Sequence, residues 1–146
     1  MKNIIYFLAG LIFVSIGLFY FNWNRNRLNR LAFENLNLQV IGVVYKIDKV
    51  KGYNGFGVAN LRVLKSNVKM YDPRSKNEYY YCMLKNDRAE IYDIHVRAMS
   101  LGDTIKIDTK KKVIFYVNEG RTEEGTIIVN TDDSFYNYIK KHHQKL

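Results

Sequence analysis

The 146-residue chain carries a net charge of +9, with 47% hydrophobic and 25% charged residues. That length suits one domain with accessory segments, and that balance excludes a disordered chain. One cysteine, Cys82, excludes an internal disulfide framework, and 12 tyrosines tilt the composition towards strands.

The first segment, Ile4 to Phe21, is uncharged and is broken only by Ser15. At about 1.5 Å per residue a helix over it is roughly 27 Å long, close to the ~30 Å hydrocarbon core of a bilayer. Tyr20 and Trp23 suit a membrane interface. A cleaved signal peptide would end in small residues, whereas this run ends in FYFNWNRNR. The expectation is an uncleaved single-pass transmembrane helix over 1–24, a signal-anchor with the lipid bilayer as its partner. Lys2 lies on one flank, and Arg25, Arg27 and Arg30 on the other. The positive-inside rule therefore leans the rest of the chain towards the cytoplasm, against an extracytoplasmic alternative.

Leu28, Leu31 and Ala32 recur at helical spacing, so 25–35 is predicted as a short linker helix. From Leu36 the period changes. LNLQVIGVVYKIDKV alternates and is rich in β-branched residues, which predicts a long strand through Val50. KGYNGFG is a turn-rich break, and further strands are expected in VANLRVLKSNVKMY, NEYYYCML, RAEIYDIHVRA and after Gly102–Asp103. KKVIFYVNEG and GTIIVN are read as the last hairpin, with a loop over 118–125. Thr131 or Asp132 can cap a helix over DDSFYNYIKKHHQK, whose acids and bases complement the helix dipole. The fold class is thus mainly β: an amino-terminal transmembrane helix, a small OB-like or SH3-like β-barrel over 36–130 and a basic helix over 131–146. A two-layer α+β domain is the alternative.

Each chemical motif has a plain structural reading. On a strand, Cys82 shares a face with Tyr80 and Leu84, an apolar setting that makes a thiol inert rather than nucleophilic. Register counted from the Asn86–Asp87 turn places Cys82 opposite 89–91, short of the only strand-region histidine, His95. Gly52, Gly55 and Gly57 resemble a phosphate loop, but no GK[ST] follows, and hairpin glycines explain them. Asp103 after Gly102 is read as a turn residue rather than a catalytic acid. His142 and His143 are adjacent on a helix without partners at metal spacing, and are read as a solvated tail. No catalytic residue, cofactor or metal site is assigned. Two basic clusters remain, Lys110, Lys111 and Lys112, and Lys140, Lys141 and Lys145, either solvated or gripping an anionic surface. Nucleic acid ranks lower as a partner because no RNP-like motif is present.

Gly42-Val43-Val44, Tyr79 to Cys82 and Gly102-Asp103-Thr104-Ile105 together resemble a loose group of small bacterial proteins of unassigned function, with an amino-terminal membrane segment and a β-rich domain. The resemblance implies architecture and no activity. The functional expectation is a membrane-anchored, non-enzymatic binding or accessory domain for a protein partner. A basic module binding anionic lipid or single-stranded nucleic acid is the second reading, and an enzyme using Cys82, His95 or Asp103 the third.

Overall fold

The computed structural model describes residues 2–33, 37–50, 55–76, 79–93, 96 and 98–143. Gly52, His95 and Lys145 lie outside the described residues. The elements in order are α1 (Lys2–Phe33), β1 (Gln39–Lys49), β2 (Gly57–Ser66), β3 (Met70–Tyr71), a 3-10 turn (Pro73–Lys76), β4 (Cys82–Lys85), β5 (Arg88–Asp93), β6 (Thr104–Asp108), β7 (Val113–Asn118), β8 (Arg121–Thr126) and α2 (Asp133–His142).

The strands form one antiparallel sheet in the order β3-β4-β5-β2-β1-β6-β7-β8. β1 alternates as its sequence requires, with Val40, Gly42 and Val44 buried on one side and Ile41 and Val43 half-buried on the other. Register irregularities between Ile41 and Gly42 and between Val44 and Lys46 are β-bulges that bend the sheet. The concave face holds the larger core, including Val44, Leu61, Cys82, Ile91, Ile105, Ile114 and Ile127. The opposite, outer face holds a second core, in which Val58, Tyr80, Met83 and Tyr92 lie beneath Phe135, Tyr136 and Ile139 of α2.

The expected closed barrel does not form. The sheet ends at β3 and β8, which do not pair with each other. β3 contributes only Met70 and Tyr71, and β8, RTEEGT, is an exposed edge carrying Glu123 and Glu124. A two-residue edge has too little ladder to close against, and charge blunts the other. The molecule is mainly β, an open curved sheet with one helix against part of its outer face.

The expected transmembrane helix, signal-anchor and membrane localisation are also corrected. Among the described residues, no helix is long and apolar enough to cross a membrane. α1 runs unbroken from Lys2 to Phe33, from the predicted anchor into the predicted linker helix. The uncharged run ends at Phe21, within α1, and fills only part of that helix. It then passes directly into Asn22, Asn24, Arg25 and Arg27, with the Arg27 guanidinium 5.9 Å from the centre of the Trp23 ring.

Two strand boundaries also differ from expectation. β7 pairs with Arg121–Thr126, which takes in only the first two residues of GTIIVN, Gly125 and Thr126. Glu119 and Gly120 both take positive φ, 46° and 81°, the backbone of a tight hairpin turn, so pairing begins within the predicted loop. Ile127 and Val129 then bury in the concave core as irregular chain. In NEYYYCML the strand starts only at Cys82, and Tyr79 and Tyr80 instead pack as irregular chain against the ring of Tyr136.

Candidate functional site

Residues directly opposite one another in an antiparallel sheet share a face. Arg62 on β2 stands opposite Arg88 on β5, and Arg88 opposite Lys85 on β4. Three cations thus sit side by side on adjacent strands, about 4.8 Å apart in the pairing direction. All three are exposed, and no ion pair to Arg62 or Arg88 forms among the described residues. The row continues across β1 and β6 through Val43 and Thr104. A neighbouring row on the same face runs Phe115, Lys106, Ile41 and Lys65, and borders a shallow groove of about 290 Å³. This is the part of the outer face that α2 leaves uncovered.

Where α2 ends, the same face changes character. Lys46, Asn60 and Glu90 lie opposite one another across β1, β2 and β5. They line a groove of about 670 Å³ together with Arg88, Lys141 and His143. Asn60 and Glu90 are both buried, at 7% exposure. Among the described residues the Nδ2 of Asn60 has no hydrogen-bond partner, a costly state for a buried donor.

The floor is held by a histidine between two carboxylates. His143 caps the carboxyl end of α2, its backbone N–H donating to the Ile139 carbonyl at 2.8 Å. Its Nε2 lies 2.9 Å from Oδ2 of Asp48 on β1, and its Nδ1 lies 3.5 Å from Oε1 of Glu90 on β5. The Tyr92 hydroxyl donates to Glu90 Oε2 at 2.9 Å, and the Tyr138 hydroxyl to Asp48 Oδ2 at 3.1 Å. The carboxylate of Glu90 raises the His143 pKa, burial opposes it and Asp48 adds to the rise. Glu90 dominates despite the longer distance because its side chain is 9% exposed against 31% for Asp48, so water screens it less.

Only an imidazolium donates from both ring nitrogens. A raised folded-state pKa means that this clamp contributes fully below the unfolded value of about 6.5, and its contribution fades as pH rises through the folded value. The expected result is a stability that declines on that alkaline side in urea titrations. His143→Gln should be less stable at low pH and should lose that decline; an identical pH profile for the variant would refute the clamp.

The structure disperses the residues singled out from sequence. Cys82 is 2% exposed and pairs with Ile91, and burial pushes its thiol up to about 12. Asp103 is buried and its Oδ2 accepts from the Ser100 N–H at 2.7 Å, closing the turn at Gly102, whose φ is 93°. β5, β2 and β1 separate β4, which holds Cys82, from β6, which Asp103 precedes. Lys110, Lys111 and Lys112 sit at the β6–β7 turn, by the Gln39 end of β1, whereas Lys140 and Lys141 lie on α2, whose end meets Asp48. Roughly 30 Å of strand separates those two ends, so the lysine clusters do not form one patch. Lys141 alone of them reaches the groove. The solvated-tail reading of His143 is corrected by its burial.

No protein-family model, curated relative or solved structure matches the chain.

Proposed function

We propose that this chain is a non-enzymatic binding module whose uncovered outer sheet face engages a phosphate-bearing partner. The observation that carries the reading is the row of cations Arg62, Arg88 and Lys85 on three adjacent strands, with no ion pair to Arg62 or Arg88 among the described residues. Like charges placed directly opposite destabilise a sheet, and local violations of this kind concentrate at functional sites. An anion laid across the row relieves the repulsion. Lys65 and Lys106 extend the positive field over the same face, and Phe115 and Ile41 between them offer apolar contact to a ring or chain. The non-enzymatic part of the reading is supported by the dispersal of Cys82 and Asp103 and by the inert setting of the thiol.

The test uses the full chain with two sources of phosphate, a fluorescein-labelled oligo-dT and vesicles containing anionic lipid. The stronger of the two identifies the source. The double variant Arg62→Glu/Arg88→Glu should weaken that binding by about a hundredfold, the loss expected for two charge-assisted contacts. Its salt slope should fall by about two, while its melting temperature holds or rises. Reversing Lys110, Lys111 and Lys112 together is the comparison. If that triple variant abolishes binding and the double variant does not, the turn and not the sheet face is the site. Absence of binding to either probe at low salt removes the proposal.

A further inference from the structure

The groove at the end of α2 is a different kind of surface from the flat basic face beside it. Its floor is built from buried polar groups and its rim from exposed cations. At about 670 Å³ it has the size of a small-ligand site. Asn60 supplies the independent sign of a ligand, being nine-tenths buried, with an amide donor unpartnered among the described residues, in a side chain that lines the groove. Glu90, next to it, is an acceptor already oriented by Tyr92 and His143. Lys46, Arg88 and Lys141 come from β1, β5 and α2, and thus converge on the groove from three elements. Asp87 also lines it and is the one other carboxylate there. Cations around a floor carrying one free donor and one acceptor match an anionic group attached to a hydroxyl-bearing body.

We infer that this groove seats a phosphomonoester carried on a sugar. The phosphate lies against Lys46, Arg88 and Lys141. The sugar hydroxyls bond Asn60 and Glu90, one accepting from the Asn60 amide and one donating to the carboxylate. The inference rests on the binding-module reading only in taking phosphate as the anion. The same chemistry has two sources, a free sugar phosphate and the phosphorylated 5′ end of a nucleic-acid strand. α2 matters to the site because it delivers Lys141 and, through His143, holds Glu90 in place.

The experiment is calorimetric titration of the full chain with ribose 5-phosphate, ribose and inorganic phosphate. Ribose 5-phosphate should bind at least about tenfold more tightly than either fragment. Asn60→Leu should weaken it at least about tenfold, the loss of one hydrogen bond to a buried site, without lowering the melting temperature, because it removes a buried donor with no partner. Lys141→Glu should weaken it comparably, and it decides the matter if Asn60→Leu fails to fold. Displacement of ribose 5-phosphate by 5′-phosphorylated oligo-dT, but not by the 5′-hydroxyl form, assigns the strand end as the source; no displacement assigns the free sugar phosphate. Arg62→Glu lies outside the groove and should leave ribose 5-phosphate binding intact. Binding of ribose 5-phosphate by an unaltered chain that binds neither oligo-dT nor anionic vesicles therefore sinks the sheet-face reading and spares the groove. Failure of ribose 5-phosphate to bind at millimolar concentration, or equal affinity in both groove variants, sinks the groove and spares the face.

Discussion

Gly57→Ala is expected to be among the most damaging single substitutions in the sheet. A Cβ built at Gly57 would stand 2.5 Å from the Asp48 carbonyl oxygen and 2.8 Å from Val96 Cγ1. The first neighbour is backbone of the paired strand, with Lys49 directly opposite Gly57 in the β1–β2 ladder, and it cannot rotate away. Overpacking a tight core costs about 1–3 kcal/mol, and a backbone obstacle belongs at the upper end. Small domains have only about 5–15 kcal/mol of stability in total. The displaced residue is Asp48, so the contact with His143 should loosen as well. Urea denaturation of Gly57→Ala should show a loss of about 3 kcal/mol or more, and Gly10→Ala, where a Cβ meets nothing within 4 Å, should show almost none. Equal stability of the two variants would mean that β1 and β2 do not approach as described.

Tyr136→Phe is expected to cost nearly as much through one oxygen atom. The Tyr136 hydroxyl donates to the Tyr80 carbonyl at 2.7 Å and accepts from the Tyr80 N–H at 3.0 Å. Tyr80 lies in irregular chain before β4, where no ladder partner satisfies its backbone, and it is 3% exposed. Removing the hydroxyl leaves a buried donor and a buried acceptor orphaned, each at about 1–3 kcal/mol. Packing is almost unchanged, because Phe retains the edge contacts of the ring with Tyr80 and Phe135. The expected loss is therefore about 3 kcal/mol. Tyr138→Phe is the control, because its hydroxyl bonds the half-exposed Asp48 carboxylate, and it should cost under about 1 kcal/mol. Measured losses in the reverse order would show that the Tyr136 bond does not hold α2 to the chain ahead of β4.

What the sequence discloses here is local. The alternation of Val40, Gly42 and Val44, the Asn86 turn at φ 55°, the Gly102–Asp103 turn and the Asp132 cap on Ser134 N–H are each written within a few residues, and each is present. The misread features depend on partners far along the chain. β8 carries no β-branched alternation and exists because β7 offers it a ladder; the residues from Ile127 have the better strand composition but leave the sheet, and Ile127 and Val129 fill the core. Closure of a barrel depended on how much edge β3 would supply, which a hydrophobic pattern does not state. The cationic row requires the registers of β2, β5 and β4 at once, since Arg62 and Arg88 look like ordinary solvated residues in their own strands. His143 was hidden for the same reason. Its partners precede it by 95 and 53 positions, and the only nearby signal was that the apolar stripe of α2 points its last turn back towards the sheet.

The order of the strands has a mechanical consequence. β6, β7 and β8 follow one another in sequence and space, and among the described residues this meander is strand-paired to the rest of the sheet only along the first half of β1, from Gln39 to Val43. Neither face of that seam lies under α2, whose buried side chains pack with Val58, Met83 and Tyr92 on the other half. Pulled or loosened, the sheet therefore has one natural line of parting, between β1 and β6. A molecule torn there would keep its groove and its three-strand cationic row, both of which belong to the half fastened by the helix.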